Sequence, residues 1–206
     1  MPEARHAERR DRLVNAGVEL VGTGGVPAMT MRAVCRQAQL SQKFFYESFT
    51  DTDDLLREVY RTTFQRARAV IDAAGGQASD HLSKTRAGVD AAAQLVSDDP
   101  RVCRILLVEP VADLRLRHFV RDTIGVMITA SIAQSASPTG DSPEIKMHYA
   151  TVFGAIISLF LEWTEGNLGD DRAMFVDHVT TVLCSSPLSL PIPTNQSPMA
   201  KTEGVT

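Results

Sequence analysis

The chain has 206 residues, 44% hydrophobic and 22% charged, the composition of an ordinary globular protein with length for one large or two small domains. Cys35, Cys103 and Cys184 are odd in number and far apart, so they form neither a disulfide framework nor a metal-ligand spacing; a reducing cytoplasm is the expected setting. The net charge of -4 does not by itself suggest a nucleic-acid binder, but it is uneven: residues 1–50 carry 7 Lys/Arg against 5 Asp/Glu, and residues 51–206 carry 14 against 20.

The charged start, MPEARHAERRDR, does not resemble a signal peptide. The spacing of Leu13, Ala16, Gly17, Leu20 and Val21 is the stripe of an amphipathic helix. Gly22, Gly24 and Gly25 stop it. Thr30 is a good N-cap for a short second helix, whose inward stripe is Met31, Val34, Cys35 and Ala38. After a break at Gln39-Leu40, Ser41 is expected to cap a third helix through about Ser48. Thr50 or Asp51 caps a fourth, with Asp53 and Asp54 in the first turn, where the helix dipole favours acids. Past Gly75-Gly76, helices are expected over 79–97, 100–109, 112–134, 143–166 and 171–184, with Pro100 and Pro143 placed as first helical residues. No alternating strand pattern and no internal repeat is found. The longest apolar run, around Ala155 to Leu161, falls short of the roughly 20 residues that cross a bilayer. From Pro187 onward the chain is rich in Pro and Ser and reads as a flexible tail.

The reading is thus an all-α protein of about nine helices. Residues 1–50 form a helix-turn-helix head, 51–186 a helical body and 187–206 the tail. In a helix-turn-helix the second short helix enters the major groove. On residues 41–48, Phe45 and Phe49 lie on one face and complete the core. The other face offers Lys43, Phe44 and Glu47, with Gln42 and Tyr46 at its edge. Gln42 has the chemistry to pair bidentately with adenine, Lys43 to reach guanine or phosphate, and Phe44 to meet a thymine methyl or sugar. Tyr46, the hydroxyls of Thr30 and Ser41, and the basic Arg32 and Arg36 suit phosphate contacts. The bland alternatives stay open. The head also reads as a three-helix corner with no partner, Phe44 as a packed side chain, and Arg32 and Arg36 as solvated.

The stretch from Arg9 to Val59 resembles the DNA-binding head of tetracycline-repressor-like (TetR-family) transcription regulators. The ordered set Gly25, Thr30, Val34-Cys35, Ala38-Gln39-Leu40-Ser41, Phe45-Tyr46-Glu47-Ser48-Phe49 and Asp53-Asp54-Leu55 carries the resemblance. It implies DNA contacts by Thr30, Ser41, Gln42, Lys43, Phe44 and Tyr46. Three positions depart from the family pattern. Gln39 stands where a turn glycine is usual, Ser48 where a His is usual, and Thr52 where a Lys is usual. A left-handed Gln39 would cost about 1 kcal/mol relative to glycine.

HYATVFGAIISLFLEWTEG resembles the eighth helix of many family members. The resemblance therefore implies a dimerising, effector-binding body and a homodimer on a palindromic double-stranded operator. From Met147 to Leu161 the 143–166 helix is apolar nearly all round and needs burial on every side. Gly154, Ala155 and Ser158 would let a second subunit approach, with Phe175, Val179 and Val182 on the companion helix. The implied effector pocket lies among the central helices, with Leu107, Met127, Phe153 and Trp163 as candidate walls and Glu109 or His148 as polar anchors. Each of these also reads as ordinary core. The effector is expected to be a small hydrophobic or amphipathic molecule. His118, His148 and His178 lie on separate helices with no carboxylate at ligand spacing, so neither a metal nor a cofactor is expected. No catalytic motif stands out. The rival reading is a helical enzyme or ligand carrier whose head has lost DNA binding.

Overall fold

A computed structural model describes residues 2–76, 78–120 and 143–185. Among them there is no strand. α1 (Pro2–Gly24) is followed by a single 3-10 turn (Val26–Ala28), then α2 (Met31–Ala38), α3 (Gln42–Ser48) and α4 (Thr52–Gly75). α5 (His81–Asp98) returns along α4. α6 (Pro100–Cys103), a π-helical stretch (Arg104–Val108) and α7 (Glu109–Ala112) follow as one nearly continuous rod. Residues 114–120 begin α8. α9 (Pro143–Thr164) and α10 (Arg172–Cys184) complete the described body. The expected tail lies outside the described residues.

Capping side chains fix most of the starts. Thr30 accepts the Ala33 amide at 3.2 Å, and Asp51 the Asp54 amide at 2.8 Å. Asp80, Asp99 and Asp171 do the same for α5, α6 and α10. Ser41 departs from expectation. Its hydroxyl makes no cap hydrogen bond, and α3 starts on the Ser41 carbonyl, which accepts the Phe44 amide at 3.1 Å. The turn after α2 is left-handed at Gln39, with φ 53° and ψ 45°. The amides of Gln39 and Leu40 close back on Arg36 and Cys35, and Arg12 of α1 donates to the Ala38 carbonyl at 2.6 Å. These bonds satisfy the last carbonyls of α2 where no glycine is available.

The helix expected to end at 109 instead runs to Ala112. Pro110 has no N–H to give, and the π-helical spacing just before it absorbs that gap. Asp113 then breaks the rod, and its carboxylate accepts the amides of Arg115 and Leu116 at the start of α8.

Two apolar cores result. The first joins Leu13, Val21, Val34, Phe45, Phe49, Leu55 and Val59 and extends to Ile105, Leu116 and Val120. The second joins Val89, Ala93, Val96, Cys103, Phe160, Phe175, Val176 and Val179. The π-helical rod runs between them: Ile105 and Leu106 pack into the first, Cys103 and Leu107 into the second. Gly17 sits where α1 crosses α4, and a Cβ there would come within 2.6 Å of Val59.

Candidate nucleic-acid interface

The head core decides what α3 shows to solvent. Phe45 and Phe49 point inward, at 1% and 3% exposure, with ring centroids 6.0 Å apart. That leaves Gln42, Lys43 and Tyr46 outward, and Tyr46 is 62% exposed although its ring is braced edge-on against Phe45. Thr30, Arg32, Arg36 and Ser41 are exposed as well. Arg32, Arg36 and Lys43 have no ion-pair partner among the described residues, so their charge is available to phosphate. Ser41, with its hydroxyl unused by the cap, is likewise available.

Phe44 has a more definite place than its sequence position indicates. It is half-buried, and the Arg9 guanidinium lies 4.5 Å over its ring. Arg9 also sits 3.9 Å from the Glu47 carboxylate, and the His6 ring nitrogen is 3.2 Å from the Glu47 carbonyl oxygen. The first turns of α1 therefore buttress the reading helix. Sequence reasoning missed His6 and Arg9, because nothing local marks a contact between the first helix and the third. Thr52 opens α4 half-buried, and the neighbouring Asp53 is held by Arg115 at 2.6 Å.

The body contains a cleft of about 680 Å³ between α4, α5, α9 and α10. Ile71, Val89, Phe160 and Val179 form apolar walls, with His81 and Lys84 also lining it. Among the described residues, none of those expected to hold an effector lines this cleft. Trp163 stacks on Phe175 at 4.5 Å and meets Phe160 edge-on, so it belongs to the second core. Leu107 is packed against the same core, and Phe153 is 41% exposed on α9. His148 is half-buried on α9 away from the cleft lining, and Met127 lies outside the described residues. Glu109 is buried at the joint between body and head, where its carboxylate accepts the Val26 amide and pairs with Arg104.

Residues 13–59 match the family model for bacterial regulatory proteins of the tetR family. Over its head, the chain is similar to the tetR family. That head is the DNA-binding part of a transcriptional regulator. No curated protein matches the sequence. Solved structures share the fold at low identity. The fatty acid degradation regulator FadR from Bacillus halodurans is 15% identical with a TM-score of 0.64, covering 85% of this chain and 94% of that one. A TetR family transcription regulator from Marinobacter aquaeolei VT8 is 14% identical with a TM-score of 0.65, covering 87% and 97%. FadR from Bacillus subtilis, solved in complex with stearoyl-CoA, is 16% identical with a TM-score of 0.62, covering 85% and 97%.

The residues expected at a dimer interface separate into two groups. Phe175 and Val179 are buried within the second core, at 5% and 1% exposure, so they support the face from behind. Gly154 and Ser158 are exposed, and nothing in the chain lies within 4 Å of a Cβ placed on Gly154. Ala155 and Val182 are half-buried. Met147, Thr151, Gly154 and Ser158 make one exposed stripe on α9, and Met174 is 58% exposed on α10. Among the described residues no helix is long and apolar enough to cross a membrane, and no cluster of His, Cys, Asp and Glu is arranged to hold a metal ion.

Proposed function

We propose that the chain acts in the cytoplasm as a homodimeric repressor, without enzymatic activity, that leaves a palindromic operator when a small apolar or amphipathic molecule occupies its body. The observation that carries this reading is the division of α3: Phe45 and Phe49 locked inward, Gln42, Lys43 and Tyr46 left outward with no other task. An outward glutamine, lysine and tyrosine on the second short helix of such a head match base and phosphate contacts in a major groove. Thr30, Arg32 and Ser41 add backbone contacts from the flanks, and Phe44, shaded by Arg9, adds its ring edge. The exposed stripe on α9 and Met174 on α10 supports assembly of two copies. The cleft between α4, α5, α9 and α10 has the volume and apolar walls for a drug-sized effector.

The test is a gel shift at low salt, where phosphate contacts are strongest, against DNA flanking the chain's own gene. Tight binding by the wild type and its loss in a Lys43→Ala, Tyr46→Ala double variant are expected, with thermal stability retained because both side chains are exposed. Absence of any shift by the wild type at low salt would overturn the reading.

A further inference from the structure

Glu109 is a buried carboxylate that neither the reading face nor the body cleft uses. It is 5% exposed. One oxygen accepts the Val26 amide at 3.0 Å, across 83 residues of sequence, and the other accepts from Arg104 Nε at 3.1 Å. Arg104 in turn donates from Nη1 to the Thr23 carbonyl at 3.0 Å. Both contacts grip the same short turn between α1 and α2. Gly25 at its centre has φ +76°, and a Cβ there would sit 2.9 Å from the Glu109 oxygen, so the turn and the carboxylate fit only with glycine between them.

Two other ion pairs hold the same rod and its continuation, one to the head and one to the start of α4. Arg101 pairs with Glu19 of α1, and Arg115 with Asp53 of α4. Both side chains of each pair are 36% to 60% exposed, whereas in the Arg104–Glu109 pair the guanidinium side is 40% exposed but Glu109 only 7%. Exposed pairs are screened and yield readily. A buried carboxylate that loses its donors is left uncompensated, so the Glu109 tie resists displacement and defines one geometry. Its position on the chain adds to this. Glu109 directly follows the π-helical stretch whose side chains pack into both cores. The Glu109 tie therefore adds a buried polar link to the apolar contacts of Ile105, Leu106 and Leu116 that join this element to the head core.

We propose that Glu109 is a positioning residue for DNA recognition: it fixes the angle of the head on the body and so the half-site spacing that a pair of heads accepts. This rests on the reading of the chain as a dimer on a two-half-site operator. A base pair inserted between half-sites moves them by about 3.4 Å and rotates one about the helix axis. A rigid joint rejects that change, and a loosened one tolerates it.

The experiment compares binding to the native operator and to one with a single inserted base pair, for the wild type, Glu109→Gln and Arg104→Gln. The wild type is expected to prefer native spacing by about tenfold or more, and Glu109→Gln to narrow that preference to within about threefold. Arg104→Gln, at a partly exposed side chain, is expected to fall between them even should Glu109→Gln fold poorly. A variant that loses affinity for both DNAs in equal proportion, or keeps the wild-type ratio, overturns the proposal, since a merely structural defect does not alter spacing preference. Arg86→Gln, which breaks the Arg86–Asp177 pair on the far side of the body, is the control that leaves the ratio unchanged. If the wild type binds no DNA, the operator reading fails instead. The tie is then read by amide hydrogen exchange at Val26, expected to quicken in Glu109→Gln; unchanged exchange overturns it.

Discussion

The head and the body solve the same problem to different degrees. In the head the large apolar side chains of α1 to α3 have places in the first core, apart from Phe44 under Arg9 and the exposed Tyr46. In the body the second core is smaller, and Met147, Phe153 and Met174 stay exposed on α9 and α10. A head closed on itself is a module that offers one face to a polyanion. The described body leaves an apolar stripe on α9 and α10 and an open cleft uncovered. On the proposed reading the head is pre-formed, and the body is completed by a second copy and an effector.

The sharpest way to break that comparison is to delete an aromatic from each core. Phe45→Ala is expected to cost about 3–5 kcal/mol, the usual loss for a fully buried phenylalanine. Phe175→Ala removes a ring packed between Phe160 and Trp163, and a loss of similar order is expected. The two should differ in concentration dependence. The head core is complete within one chain, so the Phe45→Ala cost should not change with protein concentration. On the dimer reading, the Phe175→Ala cost should rise with concentration, because a variant whose α9–α10 faces associate less well gains less stability by mass action than the wild type. Urea melts at two concentrations measure this. Equal, concentration-independent costs would mean that the body is as self-sufficient as the head.

Legibility in the sequence follows the same division. The head was legible because its determinants are local. Thr30 and the amide it caps are three residues apart, the left-handed residue falls where the pattern breaks, and Phe45 and Phe49 share a face by helical spacing alone. Even there the sequence places Ser41 at the N-cap of α3 without showing that its hydroxyl is unused, since a serine at a helix start looks the same whether or not its hydroxyl is engaged. In the body, helical spacing shows that Phe175 and Val179 share a side but not which neighbour that side meets. Trp163 and Leu107 were candidate pocket walls because periodicity does not distinguish a filled core from a cleft. In the sequence Glu109 is only a candidate polar anchor for an effector; in the fold it is buried, and a buried carboxylate needs donors. The donors are an amide and a guanidinium at the head joint, and only the folded chain shows that.

A smaller effect is expected where the first core leaves the head. Tyr60 on α4 is buried, stacked on Phe64 and edge-on to Phe119, and burial pushes its phenol up to about 12. In the unfolded chain a tyrosine ionises near 10. The unfolded state therefore releases its proton first, and stability that is complete below about pH 10 is lost as the pH climbs toward 12. The loss attributable to this side chain is about 2–3 kcal/mol. Chemical denaturation of the wild type and Tyr60→Phe between pH 8 and pH 12 isolates it as the difference between the two slopes. Parallel slopes would show that Tyr60 is reached by water and that the core is looser at this point than in the head.

The smallest effect has a favourable sign and lies at the turn before the reading helix. Gln39 is the one non-glycine residue with positive φ among the described residues. Gln39→Gly is expected to stabilise the head by about 1 kcal/mol. Arg12, which holds the Ala38 carbonyl, is the natural partner for a double-mutant cycle. If that bond compensates for the missing glycine, Arg12→Ala should cost less with glycine at 39 than with glutamine. An equal cost in both backgrounds would mean that Arg12 only anchors α2 to α1. Operator affinity decides what keeps glutamine at this position. Gln39 is exposed two residues before Ser41 and three before Gln42. Higher stability with unchanged affinity would mark Gln39 as a tolerated departure, whereas higher stability with weaker binding would add its side chain to the surface that meets DNA.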